Sequence, residues 1–349
     1  FSAGLKVFIA VLVVSCPCAL GIAWPFCDEI ALARLRQRGV FVTTHSLWNR
    51  LARVRRIVFD KTGTLTRPSL ALLNAEEVLQ LGAGERVALS TLCSEARHPV
   101  ANALRELLMA KGCYCPSREG RLREHVGQGV EWRMQGELWR LGKAGWAVAE
   151  GEGAAFSRGG ERVLALSFAD RPLADSAGEV ARLGRAGFSL AILSGDRESK
   201  AQAVGAALGL PRGAVWGDLL PEEKAAWIRA RCPEATLMVG DGANDTLAFA
   251  SALCCGAPAN EQGITARKAD FYYLGNGIGG IRALLEAGRL RSRAVRCLLG
   301  FALAYNLFAI GLSLAGWVTP LAAAVLMPCS SIASLGIVWG IQGRGLGKE

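Results

Sequence analysis

From Cys297 to Ile341 the chain carries no Asp, Glu, Lys or Arg, and no other feature restricts its folding as much. A membrane-spanning helix needs about 20 apolar residues. The run therefore has room for two, with Gly316-Trp317-Val318-Thr319-Pro320 as the turn between them. A second uncharged run, Val7 to Phe26, lies near the start of the chain. The stretch between the runs has ordinary soluble composition, so the 51% hydrophobic content belongs to a chain that is part membrane and part aqueous. The chain begins at Phe1 with no initiator methionine, and the expectation is a piece of a longer protein.

The formal net charge of +10 raises nucleic acid as a partner, but the placement of the charge argues otherwise. Arg34, Arg36 and Arg38 follow the first run, Arg282, Arg289, Arg291, Arg293 and Arg296 precede the second, and Arg344 and Lys348 follow it. Basic clusters where membrane segments end mark cytoplasmic flanks, so no nucleic-acid partner is expected. Of the 11 cysteines, Cys16, Cys18, Cys297 and Cys329 fall in the apolar runs and the rest scatter through the aqueous part, which favours reduced thiols. Cys113/Cys115 and Cys254/Cys255 lack a matching second pair and read as structural.

The chemistry is concentrated in three strand-to-acid units. Ile57-Val58-Phe59 ends in Asp60-Lys61-Thr62-Gly63-Thr64-Leu65-Thr66, a buried strand that delivers a carboxylate to a polar loop. Phe188 to Leu193 leads into Ser194-Gly195-Asp196, and Thr236 to Val239 into Gly240-Asp241-Gly242-Ala243-Asn244-Asp245. Between these two, Leu220-Pro221-Glu222-Glu223-Lys224 places a lysine near a helix start. Ligands of doubly wound sheets bind at the carboxyl ends of the strands. Transfer through an aspartyl phosphate needs a nucleophilic carboxylate, donors for the phosphoryl oxygens, a neutralising lysine and acids that hold Mg²⁺, and all are present.

Asp60 to Thr66 resembles the phosphorylation motif of the P-type ATPases, within the haloacid-dehalogenase-like superfamily. The resemblance implies that Asp60 is phosphorylated, that Asp60, the Thr62 carbonyl and Asp241 hold Mg²⁺, and that Asn244 and Asp245 stand behind them. It assigns Thr62, Ser194 and Lys224 to the phosphate, with Lys61, Gly195 and Asp196 in the same loops. Ser194 stands where threonine is usual. Soluble phosphatases of the superfamily place a second Asp two residues after the nucleophile as general acid; Thr62 cannot fill that role, so the phosphoenzyme should be long-lived.

About a hundred residues separate Thr66 from the strand near Val163, too many for a structureless loop, and imply an inserted domain. Its Ser94-Glu95-Ala96-Arg97-His98-Pro99 and Gly127-Gln128-Gly129 resemble the nucleotide domain of the heavy-metal branch, with His98 at adenine and Gly127 and Gly129 admitting ATP to the backbone. Cys16-Pro17-Cys18 is similar to that branch's membrane signature. Pro17 should kink the helix where two thiols lie, and paired thiolates accept Cu(I), Ag(I), Zn(II) or Cd(II). Tyr305-Asn306 and Met327-Pro328-Cys329-Ser330-Ser331 resemble the copper pattern, which makes Cys16, Cys18, Tyr305, Asn306, Met327 and Ser331 the candidates for the transported metal. Leu298, Ile337, Trp24, Leu173 and Ala174 depart from the family's residues, the last two in a motif beginning at Asp170. Ala257-Pro258-Ala259-Asn260-Glu261, Ala269-Asp270 and Leu274-Gly275 resemble the subgroup that supplies copper for oxidase assembly.

The expected architecture is an α/β, Rossmann-like phosphorylation domain of the haloacid-dehalogenase type with an inserted α+β nucleotide-binding domain and transmembrane helices. Its expected parts are a membrane helix at 1–33, phosphorylation-domain segments at 34–70 and 163–288, the nucleotide domain at 71–162, and two membrane helices with a short tail at 289–349. The resemblance implies ATP-driven export of a heavy metal, Cu(I) first, with ATP and Mg²⁺ as cofactors. It also implies a bacterial inner membrane with its lipid, catalytic domains on the cytoplasmic side, and a cytosolic metal chaperone as candidate partner. A Zn(II)/Cd(II) pump, a non-pumping metal sensor and a membrane-anchored phosphohydrolase stay open as alternatives. The family dephosphorylates with a Thr-Gly-Glu loop that this sequence lacks, so this stretch alone should not turn over.

Overall fold

The computed structural model describes residues 2–15, 18–96, 98–151, 153–241, 245–259, 269–275 and 277–343. Two helices, Ser2–Val14 and Cys18–Gln37, come first. Cys16 and Pro17, and with them the expected kink, lie outside the described residues.

Strands β1 (Val40–Val42) and β2 (Arg56–Asp60) follow. The chain then leaves along β3 (Thr66–Leu72) and enters the insert. There the helices Ala83–Ser94 and Pro99–Ala110 pack on five antiparallel strands: β4 (Arg121–His125), β5 (Gly129–Met134), β6 (Glu137–Lys143), β7 (Ala154–Arg158) and β8 (Glu161–Leu166). The insert has a core of its own, in which Leu89, Leu92 and Leu104 meet Trp132, Trp139 and Phe156. The chain returns along β9 (Phe168–Pro172), antiparallel to β3.

This return corrects the expected boundary at Val163. Val163 to Leu166 reads as a buried strand, which either sheet could use, and it pairs with β7 rather than with the catalytic sheet. The phosphorylation domain therefore resumes about where β9 begins.

Strands β10 (Ser189–Leu193), β11 (Val215–Trp216), β12 (Thr236–Val239), β13 (Cys254–Pro258) and β14 (Phe271–Tyr273) complete the catalytic sheet, ordered β1-β14-β13-β12-β2-β10-β11. All pairings but β1 with β14 are parallel. Parallel strands covered on both faces need continuous apolar sequence, and Ile57, Val58, Phe59, Leu237, Met238 and Val239 are each fully buried. The three acid-bearing loops leave adjacent strands β10, β2 and β12 at the same carboxyl edge, so the topology gathers them at one point.

Among the described residues, two helices are long and apolar enough to cross a membrane: Gly279–Leu314, and Pro320–Val338 with a further π-helical turn, Trp339–Gly343. The turn between them falls where the sequence placed it, with Thr319 accepting the Ala322 amide as N-cap. The first of the two begins ten residues before the expected boundary at 289. Its opening turns carry Ile281, Leu284 and Leu285 into the catalytic core, and burying them outweighs any break at the membrane edge.

Candidate active site

Asp60 closes β2 and is only 7% exposed. Its Oδ1 accepts from Lys224 Nζ at 2.5 Å, and the same ammonium donates to Asp245 Oδ1 at 2.9 Å. Lys224 lies in the first turn of the helix Pro221–Ala230, whose start is closed by Glu223 accepting the Leu220 amide at 2.8 Å. Carboxylate oxygens of Asp60, Asp241 and Asp245 lie within 4.8 Å of one another. Gly63 makes the approach feasible: its φ of +74° turns the loop over Asp241, and a Cβ there would sit 3.1 Å from Asp241 Oδ2.

Three acids facing one lysine leave an excess of negative charge. Burial, then Asp245, push the Asp60 carboxyl up to about 7 against the opposing pull of Lys224. Asp245 Oδ2 is buried with no hydrogen-bond partner. An unpaired buried carboxylate oxygen among converging acids fits a divalent cation, which Asp60, Asp241 and Asp245 would hold. Asn244 lies outside the described residues.

Ser194 follows the β10 residue that is paired with Asp60. Its Oγ accepts the Asp196 amide at 3.1 Å, which leaves the hydroxyl proton free to donate. The Thr62 hydroxyl donates to Asp196 Oδ2 at 3.1 Å, and Gly195 lies exposed between Ser194 and Asp196. Lys61 is fully buried and forms ion pairs with Asp196 and Asp170. Burial opposes ionisation of Asp196, but Lys61 and the Thr62 hydroxyl outweigh it and hold its carboxyl below the usual range. Asp170 received no site role from the sequence. It lies in the middle of β9, opposite Leu70 of β3, where no switch from apolar to acidic sequence marks a strand end.

Residues 54–252 match the model of the haloacid dehalogenase-like hydrolases. The chain belongs to that family. Among curated proteins, it is 34% identical over 339 residues to the nitrogen fixation protein FixI of Rhizobium meliloti, covering 94% of this chain and 43% of that one. It is 31% identical over 350 residues to a copper-exporting P-type ATPase of Mycobacterium leprae, covering 93% and 43%. The chain thus spans less than half the length of these relatives. Among solved structures, a zinc-transporting PIB-type ATPase in its E2.Pi state superposes with a TM-score of 0.79 at 24% identity, over 94% of this chain and 56% of that one. The fold of this haloacid dehalogenase-like hydrolase is therefore similar to just over half of that structure.

In the insert, the residues assigned to nucleotide have local roles as well. His98 is the N-cap of the helix Pro99–Ala110, its Nδ1 accepting the Val100 amide at 3.3 Å, which leaves Nε2 for a ligand. Gly127 stands in an open turn, with nothing within 4 Å of where a Cβ would be. Gly129 is enclosed instead: a Cβ would meet Leu141 O at 2.3 Å and the Trp146 ring at 2.8 Å. Its smallness serves the close pairing of β5 with β6 and the packing of Trp146, whatever else it admits.

Of the residues expected at the transported metal, Cys16 and the side chain of Cys18 lie outside what is described. Ser330 and Ser331 both donate to the Met327 carbonyl, at 2.7 and 3.3 Å. Tyr305 stacks on Phe301 with ring centroids 6.2 Å apart, and its hydroxyl is buried without a partner. Among the described residues, no hydrogen bond joins the side chains of Tyr305, Asn306, Met327 and Ser331. Leu173, where the family has arginine, packs against the catalytic core. Trp24, in place of threonine, lies against the Arg291 guanidinium at 5.8 Å.

Proposed function

We propose that this chain carries the phosphorylation site and part of the membrane path of an ATP-driven heavy-metal pump, with Asp60 as the phosphorylated residue. The supporting observation is the pairing of a buried, lysine-held nucleophile with Thr62 two residues on. Thr62 offers no carboxyl to protonate a leaving group or activate water, and its hydroxyl is already given to Asp196. An aspartyl phosphate formed here would persist, which suits a transport cycle and not a simple phosphatase.

In the reaction, Asp60 Oδ attacks the terminal phosphorus of ATP, the bond to the bridging oxygen breaks, and ADP leaves. Lys224 neutralises the carboxylate beforehand and the transferred phosphoryl group afterwards. Ser194, its oxygen fixed by the Asp196 amide, donates its proton to a phosphoryl oxygen. Mg²⁺, when bound, would offset the charge shared by the carboxylates and the phosphoryl oxygens. Asp170 and Asp196 hold Lys61 at the rim of this loop. His98 and Gly127 are the residues proposed for the nucleotide base and its approach.

The cargo proposed is Cu(I), exported through a bacterial inner membrane. Cys16 and Cys18 supply soft ligands, Met327 a thioether, and the helices from Cys297 to Ile341 none of the charges that suit a divalent ion. Relatives named as copper-exporting support this, while the zinc-transporting structure matches in fold alone. Acid-stable labelling of the full-length protein by γ-labelled ATP tests both levels. Label that requires Asp60, Cys16, Cys18 and Cu(I) is the expected result. Zn(II) in place of Cu(I) would overturn the cargo, and no label under any metal would overturn the pump.

A further inference from the structure

Where the helix Gly279–Leu314 leaves the catalytic core, a cavity of about 810 Å³ opens between it, the segment before β2 and the turn before β10. Arg55, Arg289 and Arg296 line it, together with Arg291, which is paired with Asp28. Among the described residues, Arg55, Arg289 and Arg296 bond to backbone carbonyls and pair with no carboxylate. Arg55 donates to the carbonyls of Ala52 and Val54 at 3.1 and 2.8 Å. Arg289 lies over the Phe188 ring at 5.3 Å and reaches the Ala186 carbonyl at 3.4 Å, and Arg296 bonds to the Ser292 carbonyl at 3.4 Å.

The acids nearby are already answered. Asp28 pairs with Arg291, which is 6% exposed and held between Trp24 and Trp48. Glu286, on the adjoining wall, pairs with Arg282 at 2.8 Å and with Arg38 at 3.3 Å. The cavity is thus a concave surface with three uncompensated guanidinium groups, a geometry that matches the oxygens of a phosphate diester.

We propose that this cavity seats the phosphate headgroup of an anionic phospholipid from the leaflet on the catalytic side. The assignment rests on the membrane reading above. Arg296 is the last charge before the uncharged run begins at Cys297, so the cavity lies at headgroup depth, where basic pockets between helices take acidic lipids. Beyond it the same helix exposes Leu299 and Leu303, 41% and 64% accessible, a surface for acyl chains that a free phosphate ion could not use. Anionic lipid would then connect the membrane helix to the wall of the catalytic domain.

The test uses the full-length protein reconstituted in equimolar phosphatidylcholine and phosphatidylglycerol, then extracted gently and weighed with its retained lipids by native mass spectrometry. Phosphatidylglycerol should be retained in preference. Replacing Arg55, Arg289 and Arg296 together by Gln should cut that preference about a hundredfold, at roughly fivefold per arginine. The triple Lys variant, which keeps the charge and loses the planar fork, should fall between the Gln variant and wild type. Arg293→Gln, an exposed arginine on the same helix outside the cavity, should change it by less than about twofold. Membrane association without lipid preference, or a Gln variant indistinguishable from wild type, would overturn the site and leave the membrane reading intact. Displacement of phosphatidylglycerol by millimolar inorganic phosphate would reassign the cavity to a soluble anion, and failure to associate with vesicles of either lipid would overturn both.

Discussion

The centre around Asp60 and the helices from Gly279 to Gly343 handle charge in opposite ways. At the centre, three carboxylates and a lysine are drawn out of water into contact, and each functional property comes from how nearly they balance. In the last two helices, charge is excluded altogether from Cys297 onward; the buried Ser313 and Ser334 hydroxyls bond to their own backbone, while the Tyr305 hydroxyl is buried without a partner. The first region is sensitive to removing a charge and the second to adding one. A single substitution of either kind therefore reports which region it has entered.

The sharpest break is at the nucleophile. Asp60→Asn should abolish acid-stable label from γ-labelled ATP. Lys224→Ala should reduce the rate of labelling by about a hundredfold to a thousandfold, the cost of losing one preorganised electrostatic partner; rates near wild type would remove Lys224 from the mechanism. Next comes the lifetime of the phosphoenzyme. Thr62→Asp supplies the missing carboxyl and should shorten the label's half-life in a chase with unlabelled ATP by a factor on the order of 10². An unchanged half-life would mean that something other than Thr62 protects the intermediate.

The opposite region is tested by addition. Leu303 is 64% exposed on the apolar helix, and Leu303→Lys should disfavour membrane insertion by about 3 kcal/mol. Leu303→Ala should change recovery in the membrane fraction little, and equal recovery of the Lys variant would place this face in water.

The smallest effect is a pH slope in cation-free protein. The Asp60 carboxyl is raised from 3.8 to about 7, so between those values the folded state holds a proton that the unfolded chain has released. Stability should fall as pH rises through that window and level off above it, and Asp60→Asn should remove the slope. Asp196, held low, contributes in the other sense: its stabilisation is present above the ordinary carboxylate value and lost on acidification. Denaturant midpoints measured with chelator across this range would show the first, and continued below 3.8 would show the second.

Much of the first region could be read directly from the chain, because its residues lie at the ends of strands and strand ends are marked by a switch from apolar to acidic sequence. Asp60, Ser194, Asp196 and Asp241 follow that pattern, Lys224 instead follows a helix start, and parallel order brings three loops to one edge. What could not be read is pairing across long separations. Lys61 with Asp170 spans 109 residues and Asp28 with Arg291 spans 263, and no local pattern announces either. The boundary near Val163 and the early start at Gly279 escaped for a related reason: an apolar run shows that it is buried but not against which neighbour. The two long apolar helices were plain from composition, whereas the relation of Tyr305 to Met327 depends on packing that composition does not encode.

Gly279–Leu314 is one unbroken helix of 36 residues with no internal proline, anchored at one end by Ile281, Leu284 and Leu285 in the catalytic core. At about 1.5 Å per residue it is a rod roughly 54 Å long. A tilt of about 5° imposed at its anchored end would carry the far end sideways by roughly 5 Å, close to the pitch of one helical turn. A lever of this length lets a small rearrangement beside the catalytic core appear as a large one at the helix's far end.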